Sequence, residues 1–180
     1  MFDETMRVVL SLPEMEPIET LPSILDGLFA RLRLDAAASD AWTIEDAIWD
    51  VWTAHSDPAA SNLMARGIAA VAGRRLLEAQ GLLDDLVRAQ PLWPEAWNKR
   101  ATLLFLRNED EASARDIRRT LQMEPRHFGA LAGFAQICLR HGDAAAALIT
   151  VQAALRVHPH LAPMRILEGE LRRLHAPTVH

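Results

Sequence analysis

Three prolines fall at intervals of 34 residues: Pro91, Pro125 and Pro159. Each closes a helix-like run, in VRAQP, LQMEP and LRVHP. Proline ends a helix because it lacks the amide hydrogen and its ring restricts the residue before it. A fixed period of this length means a stack of equivalent units, each too thin to bury its apolar face alone. Setting each proline at position 32 of its unit gives units 60–93, 94–127 and 128–161.

The columns of the three units agree. Position 4 is large and apolar (Leu63, Trp97, Leu131). Position 8 is small (Gly67, Ala101, Ala135), as is position 20 (Ala79, Ser113, Ala147). Position 24 is aliphatic (Leu83, Ile117, Val151), and position 27 is looser (Leu86, Thr120, Ala154). Two antiparallel helices approach closely where small residues meet, and larger side chains fill the flanks. The turn and cap signals predict helices over 60–72, 75–89, 94–107, 110–122, 128–141 and 144–157. Asn108 with Glu111 reads as a capping-box-like start, Gly142-Asp143 as a turn glycine and N-cap acid, and Pro94 as a first-turn proline.

These columns resemble the tetratricopeptide repeat, a helical hairpin of the same length, over residues 60–161. EAWNKRATL and MEPRHFGAL resemble, in particular, small bacterial members of unassigned role. The family's aromatic at position 11 is replaced by Ala70, Leu104 and Cys138, and its aromatic at position 24 by aliphatics. These swaps keep an apolar core. The fold implied is all-α: an α-α superhelix, or solenoid, of three hairpin repeats with an N-terminal helix pair and a C-terminal capping helix.

Outside the repeats, Leu21, Ile24, Leu25, Leu28, Phe29 and Leu32 form one helical face. Asp40 then starts a helix bearing Trp42, Ile44, Ile48, Trp49, Val51 and Trp52. Segment 20–57 is expected to be a helix pair, possible as a degenerate repeat, that covers the open end of unit one. Segment 162–175 is expected to be a capping helix with Met164, Leu167, Leu171 and Leu174 on its oily stripe. Residues 1–19 are expected to be a flexible acidic extension. Trp42, Trp49 and Trp52 carry two readings: core packing, which a helical aromatic stripe favours, or a docking anchor.

Composition narrows the chemistry. The chain of 180 residues is half hydrophobic, with a net charge of −5. Residues 1–57 hold twelve acids against three arginines (−9), and the remainder sixteen bases against twelve acids (+4). This polarity allows the acidic segment to fold back on the repeats, and it gives no nucleic-acid footprint. No run approaches the ~20 apolar residues of a membrane helix. The N-terminus lacks the basic and apolar regions of a signal peptide, so the expected compartment is cytoplasmic, or periplasmic if the chain is a trimmed mature form.

His158-Pro159-His160 flanks a turn without the further ligands that zinc requires. Cys138 falls on an interior helix face, where cysteine behaves as a small hydrophobe rather than a nucleophile. Glu109-Asp110-Glu111 reads as a solvated first turn. Phosphate loops, paired-cysteine sites and nucleophile elbows are absent from the sequence, and no cofactor or metal is expected.

The family resemblance implies that positions 2, 5, 9 and 12 line a concave groove. The groove residues so identified are Met64, Ile68 and Val71; Asn98, Thr102 and Phe105; and Ala132, Gln136 and Leu139. Position 2 holds Ser61, Glu95 and Gly129. Amide and hydroxyl side chains there can pair with a peptide backbone while the apolar ones supply contact area. Met64 and Ile68 in unit one, and Gly129 and Gly133 in unit three, stand where carboxylate-clamp members of the family carry lysine, asparagine and arginine. Recognition of chaperone tails is therefore not expected. The implied function is a non-catalytic module that binds a protein or peptide partner. The alternatives are a self-associating module, which leaves the oligomeric state open, and an enzyme with an unrecognised site.

Overall fold

A computed structural model describes residues 2–34 and 38–175. Among the described residues there are ten α-helices, one 3-10 turn and no strand. The helices are α1 (Asp3–Ser11), α2 (Ile24–Arg33), α3 (Ala38–Thr53), α4 (Pro58–Ala72), α5 (Leu76–Ala89), α6 (Pro94–Leu106), α7 (Asp110–Met123), α8 (Phe128–Arg140), α9 (Ala144–Val157) and α10 (Ala162–His175). The hairpins α4–α5, α6–α7 and α8–α9 stack in chain order.

One turn design joins the helices of every hairpin. Position 15 of each unit is left-handed: Arg74 (φ 60°), Asn108 (φ 62°) and Gly142 (φ 74°). The next residue's N–H then bonds back to the carbonyl of position 11, in Arg75 to Ala70, Glu109 to Leu104 and Asp143 to Cys138, each at 2.9 Å. These six-to-one bonds satisfy carbonyls that the ending helix leaves open. Asn108 is therefore the left-handed residue of the turn and not a helix cap, because asparagine tolerates that conformation. Glu109 takes the cap position without a side-chain cap bond. Asp143 does cap α9, accepting from the Ala146 amide at 2.9 Å.

The small columns hold the hairpins closed. A Cβ on Gly67 would lie 2.8 Å from Leu83 Cδ2, so the bare backbone admits the leucine. Ser113 uses its smallness and its hydroxyl together, donating to the Ala101 carbonyl at 2.8 Å while fully buried. Leu83, Ile117 and Val151 are all buried, as is Leu131, and each such side chain contributes roughly 1.5–3 kcal/mol. Leu63 and Trp97 are half-buried against the cluster that holds Leu83.

The N-terminal third departs from expectation twice. Residues 1–19, expected as a flexible extension, include α1, which packs along α7. Val9 and Thr5 are buried, the Thr5 hydroxyl donates to the Ala114 carbonyl at 3.0 Å, and Glu4 pairs with Arg118. Phe2, Met6 and Val9 form the apolar stripe that a count of acids concealed.

The pair α2–α3 does not cover the outer end of unit one. It crosses the row of turns that link successive hairpins. The Trp52 carbonyl accepts from Trp93 Nε1 (2.7 Å), the Trp52 ring stacks on His127 (centroids 4.0 Å), and Glu45 accepts from His158 Nε2 (3.0 Å). Phe29, Trp52 and Phe128 meet in a shared core. The reason lies in positions 3 and 10, which face the preceding unit. Ala96, Leu103, Ala130 and Ile137 are 0% exposed there, whereas unit one holds Asn62 and Ala69, both exposed. Unit one thus presents no apolar end that needs cover. At the other end, Met164 and Leu171 continue the same two columns and bury α10 against α9.

Candidate interaction groove

The first helices of the hairpins, α4, α6 and α8, bring the predicted groove residues into three parallel rows. The protein's own α3 divides those rows. Trp49 lies directly over Gly129, where an added Cβ would come 2.5 Å from its Cη2 atom. Glycine at position 2 of unit three is therefore what lets α3 seat. At the same position in unit two Glu95 is fully buried, and at position 5 Met64 and Asn98 are buried too. Ala132 is half-buried.

Positions 9 and 12 are different. Ile68 is 38% exposed, Thr102 and Gln136 are exposed, and Val71, Phe105 and Leu139 are half-buried. The Thr102 hydroxyl is engaged with the Asn98 carbonyl at 3.0 Å. The Arg140 guanidinium covers one face of Phe105, 3.7 Å from its centroid, and donates to the Phe105 carbonyl at 3.1 Å. The accessible part is an apolar strip of Ile68, Val71, Phe105 and Leu139, edged by Thr102, Gln136 and Arg140.

A buried polar network fixes the covered half. His127 Nδ1 accepts the Ala130 amide at 3.1 Å, so Nε2 carries the proton it gives to Glu95 Oε2 at 2.8 Å. Asn98 donates to the same oxygen at 2.9 Å, and Lys99 stands 2.6 Å from Oε1. Burial pushes the Glu95 carboxyl up, but the hydrogen bond from His127 together with the charge of Lys99 outweighs it and holds the group below the usual carboxylate value. Lys99 also sits 5.0 Å over the Trp49 ring, joining the network to α3. Oε2 takes the hydrogen bonds from His127 and Asn98 and Oε1 faces the Lys99 ammonium, so the enclosed Glu95 orients its neighbours.

The other titratable candidates resolve in the same way. Burial pushes the Cys138 thiol up to about 12, which keeps it protonated and inert. His158 is buried against Glu45, while His160 faces the Leu34 carbonyl at 3.4 Å. Among the described residues no group of three His, Cys, Asp or Glu could hold a metal ion, and no helix is long and apolar enough to cross a membrane. Trp52 is buried, Trp49 half-buried and Trp42 67% exposed.

Sequence reasoning placed Glu95 at groove position 2 without its network and missed Lys99 and His127. A lone acid at position 2, amid neutral residues, was the available signal. No family model matches the chain. A TPR repeat-containing protein of Rhizobium etli is 33% identical over 135 residues, covering 75% of this chain and 66% of the relative. The aligned stretch thus spans about two thirds of that relative's own length.

Proposed function

The chain belongs to the tetratricopeptide-repeat family, and on that premise we propose that it is a non-catalytic module that holds a protein partner in the open half of its groove. The observation that carries this reading is that Ile68, Val71, Phe105 and Leu139 are left exposed or half-buried on three successive helices beside exposed amide and hydroxyl groups. An apolar segment of a partner laid there would desolvate the strip, and Gln136 would meet its backbone. The covered half keeps the groove's shape, because Glu95, His127 and Lys99 lock α3 against α6 and α8.

A photo-crosslinking residue at Thr102 or Gln136, introduced in the source cells, is expected to capture one protein species. The same residue at Arg119, exposed on α7, is expected to capture none. Equal capture from both faces would remove the groove from the account. Self-association is the second reading, favoured by Trp42, Ile24 and Leu34, each at least 60% exposed on the helix pair. A concentration-independent monomer in sedimentation would exclude it.

A further inference from the structure

Away from the groove, a cavity of about 460 Å³ opens between the loop after α1, the helix α2, the turn at Pro125-Arg126 and the end of α9. That volume is within the range of small-molecule sites. Its walls are pinned. The Ile18 amide donates to the Met123 carbonyl at 2.9 Å, fixing the loop, and Arg126 holds Asp26 of α2 at 2.6 Å. Leu12, Met15 and Val157 supply an apolar lining that is buried or half-buried.

Three guanidiniums reach this cavity. Arg126 is already neutralised by Asp26 and by the buried Glu124, which it grips at 2.8 and 2.9 Å. Arg33 and Arg156 are exposed, and among the described residues neither has an ion-pair partner. Glu16 also lines the cavity, and no ion pair joins it to either arginine. Counting Glu124 with Asp26 and Glu16, three carboxylates balance the three guanidiniums, so the positive potential is local to the two unpaired arginines. A single negative charge on an apolar body matches this better than a dianion does. The planar fork of arginine suits a carboxylate.

We propose that this cavity binds a small aliphatic carboxylate, its head between Arg33 and Arg156 and its chain along Leu12, Met15 and Val157. The walls are pre-set, so little ordering opposes binding.

Calorimetric titration of the full chain with octanoate tests this directly, with octanamide, acetate and inorganic phosphate as comparison probes. Octanoate is expected to bind saturably and at least about tenfold more tightly than each of the others. The Arg33→Ala, Arg156→Ala double variant is expected to lose at least about tenfold in affinity with an unchanged circular-dichroism spectrum, since both side chains are exposed. Octanamide equal to octanoate would show no charge recognition, and acetate equal to octanoate would show no apolar recognition. Either result would overturn the proposal. So would an unchanged double variant, phosphate binding tighter than octanoate, or no saturation by octanoate at about 10 mM.

Discussion

At the scale of single residues, the turn column exposes a cost that the repeat has not removed everywhere. Position 15 needs a left-handed backbone, and glycine, asparagine and arginine occupy it in turn. Arginine has a Cβ that crowds the carbonyl there and no short polar group to compensate. Arg74→Gly is therefore expected to stabilise the protein by about 0.5–1 kcal/mol in urea denaturation, and Gly142→Ala to destabilise it by about 1 kcal/mol. Similar shifts of the same sign for both would contradict the assignment of this column.

A second residue-scale test concerns pH. The hydrogen bond from His158 holds the Glu45 carboxyl below its usual value of 4.5, while partial burial acts the other way. A carboxyl lowered on folding binds its proton more readily when unfolded. Its stabilising effect is thus complete above about pH 4.5 and fades as pH falls through the lowered native value. Denaturation midpoints measured from pH 7 to pH 3 are expected to fall less steeply below 4.5 in Glu45→Gln than in the parent. Equal slopes would mean that the carboxylate contributes nothing by titration.

At the scale of elements, the hairpins were legible because their signals are local. Prolines stop the second helices, small residues mark the close approach, and Asp143 caps α9 as its sequence predicts. The seat of α2–α3 was not legible from the periodic columns, which describe only the faces of the units themselves. The polar Asn62 and small Ala69, where later units carry Ala96, Leu103, Ala130 and Ile137, did hold the information that unit one needs no cap. The same limit applies to α1, whose stripe of Phe2, Met6 and Val9 was outweighed by its acids. Gly129 is the residue that most directly controls α3. In Gly129→Leu the new side chain would take the place of Trp49, at a cost of about 1–3 kcal/mol. Tryptophan emission is expected to shift to longer wavelength, with faster proteolysis in residues 40–57 while the hairpins stay helical. An unshifted emission and unchanged proteolysis would mean that Trp49 does not depend on this glycine.

At the scale of the whole molecule, the nine groove residues chosen from the family's positions all lie on α4, α6 and α8, yet they do not share one environment. The helical period names a face and leaves open what the rest of the chain will lay across it. Here α3 lies over Gly129 and packs on α6, and Met64 is closed within the core of the first hairpins; Met64 and Asn98 are thus buried while Thr102 and Gln136 are open. The opposite charges of the two parts are realised in specific pairs, Glu4 with Arg118 and Asp26 with Arg126. Such pairs fix registry more than they add stability.

The division of the groove can be read chemically, because the native Cys138 is buried and its thiol stays protonated. Single cysteines introduced as Met64→Cys, Asn98→Cys, Thr102→Cys and Gln136→Cys would each be labelled with a thiol reagent under native conditions. Thr102→Cys and Gln136→Cys are expected to react at rates close to those of the unfolded chain, and Met64→Cys and Asn98→Cys at least about a hundredfold more slowly. Equal rates at all four positions would show that the groove is not divided into a closed and an open half, and would contradict the account.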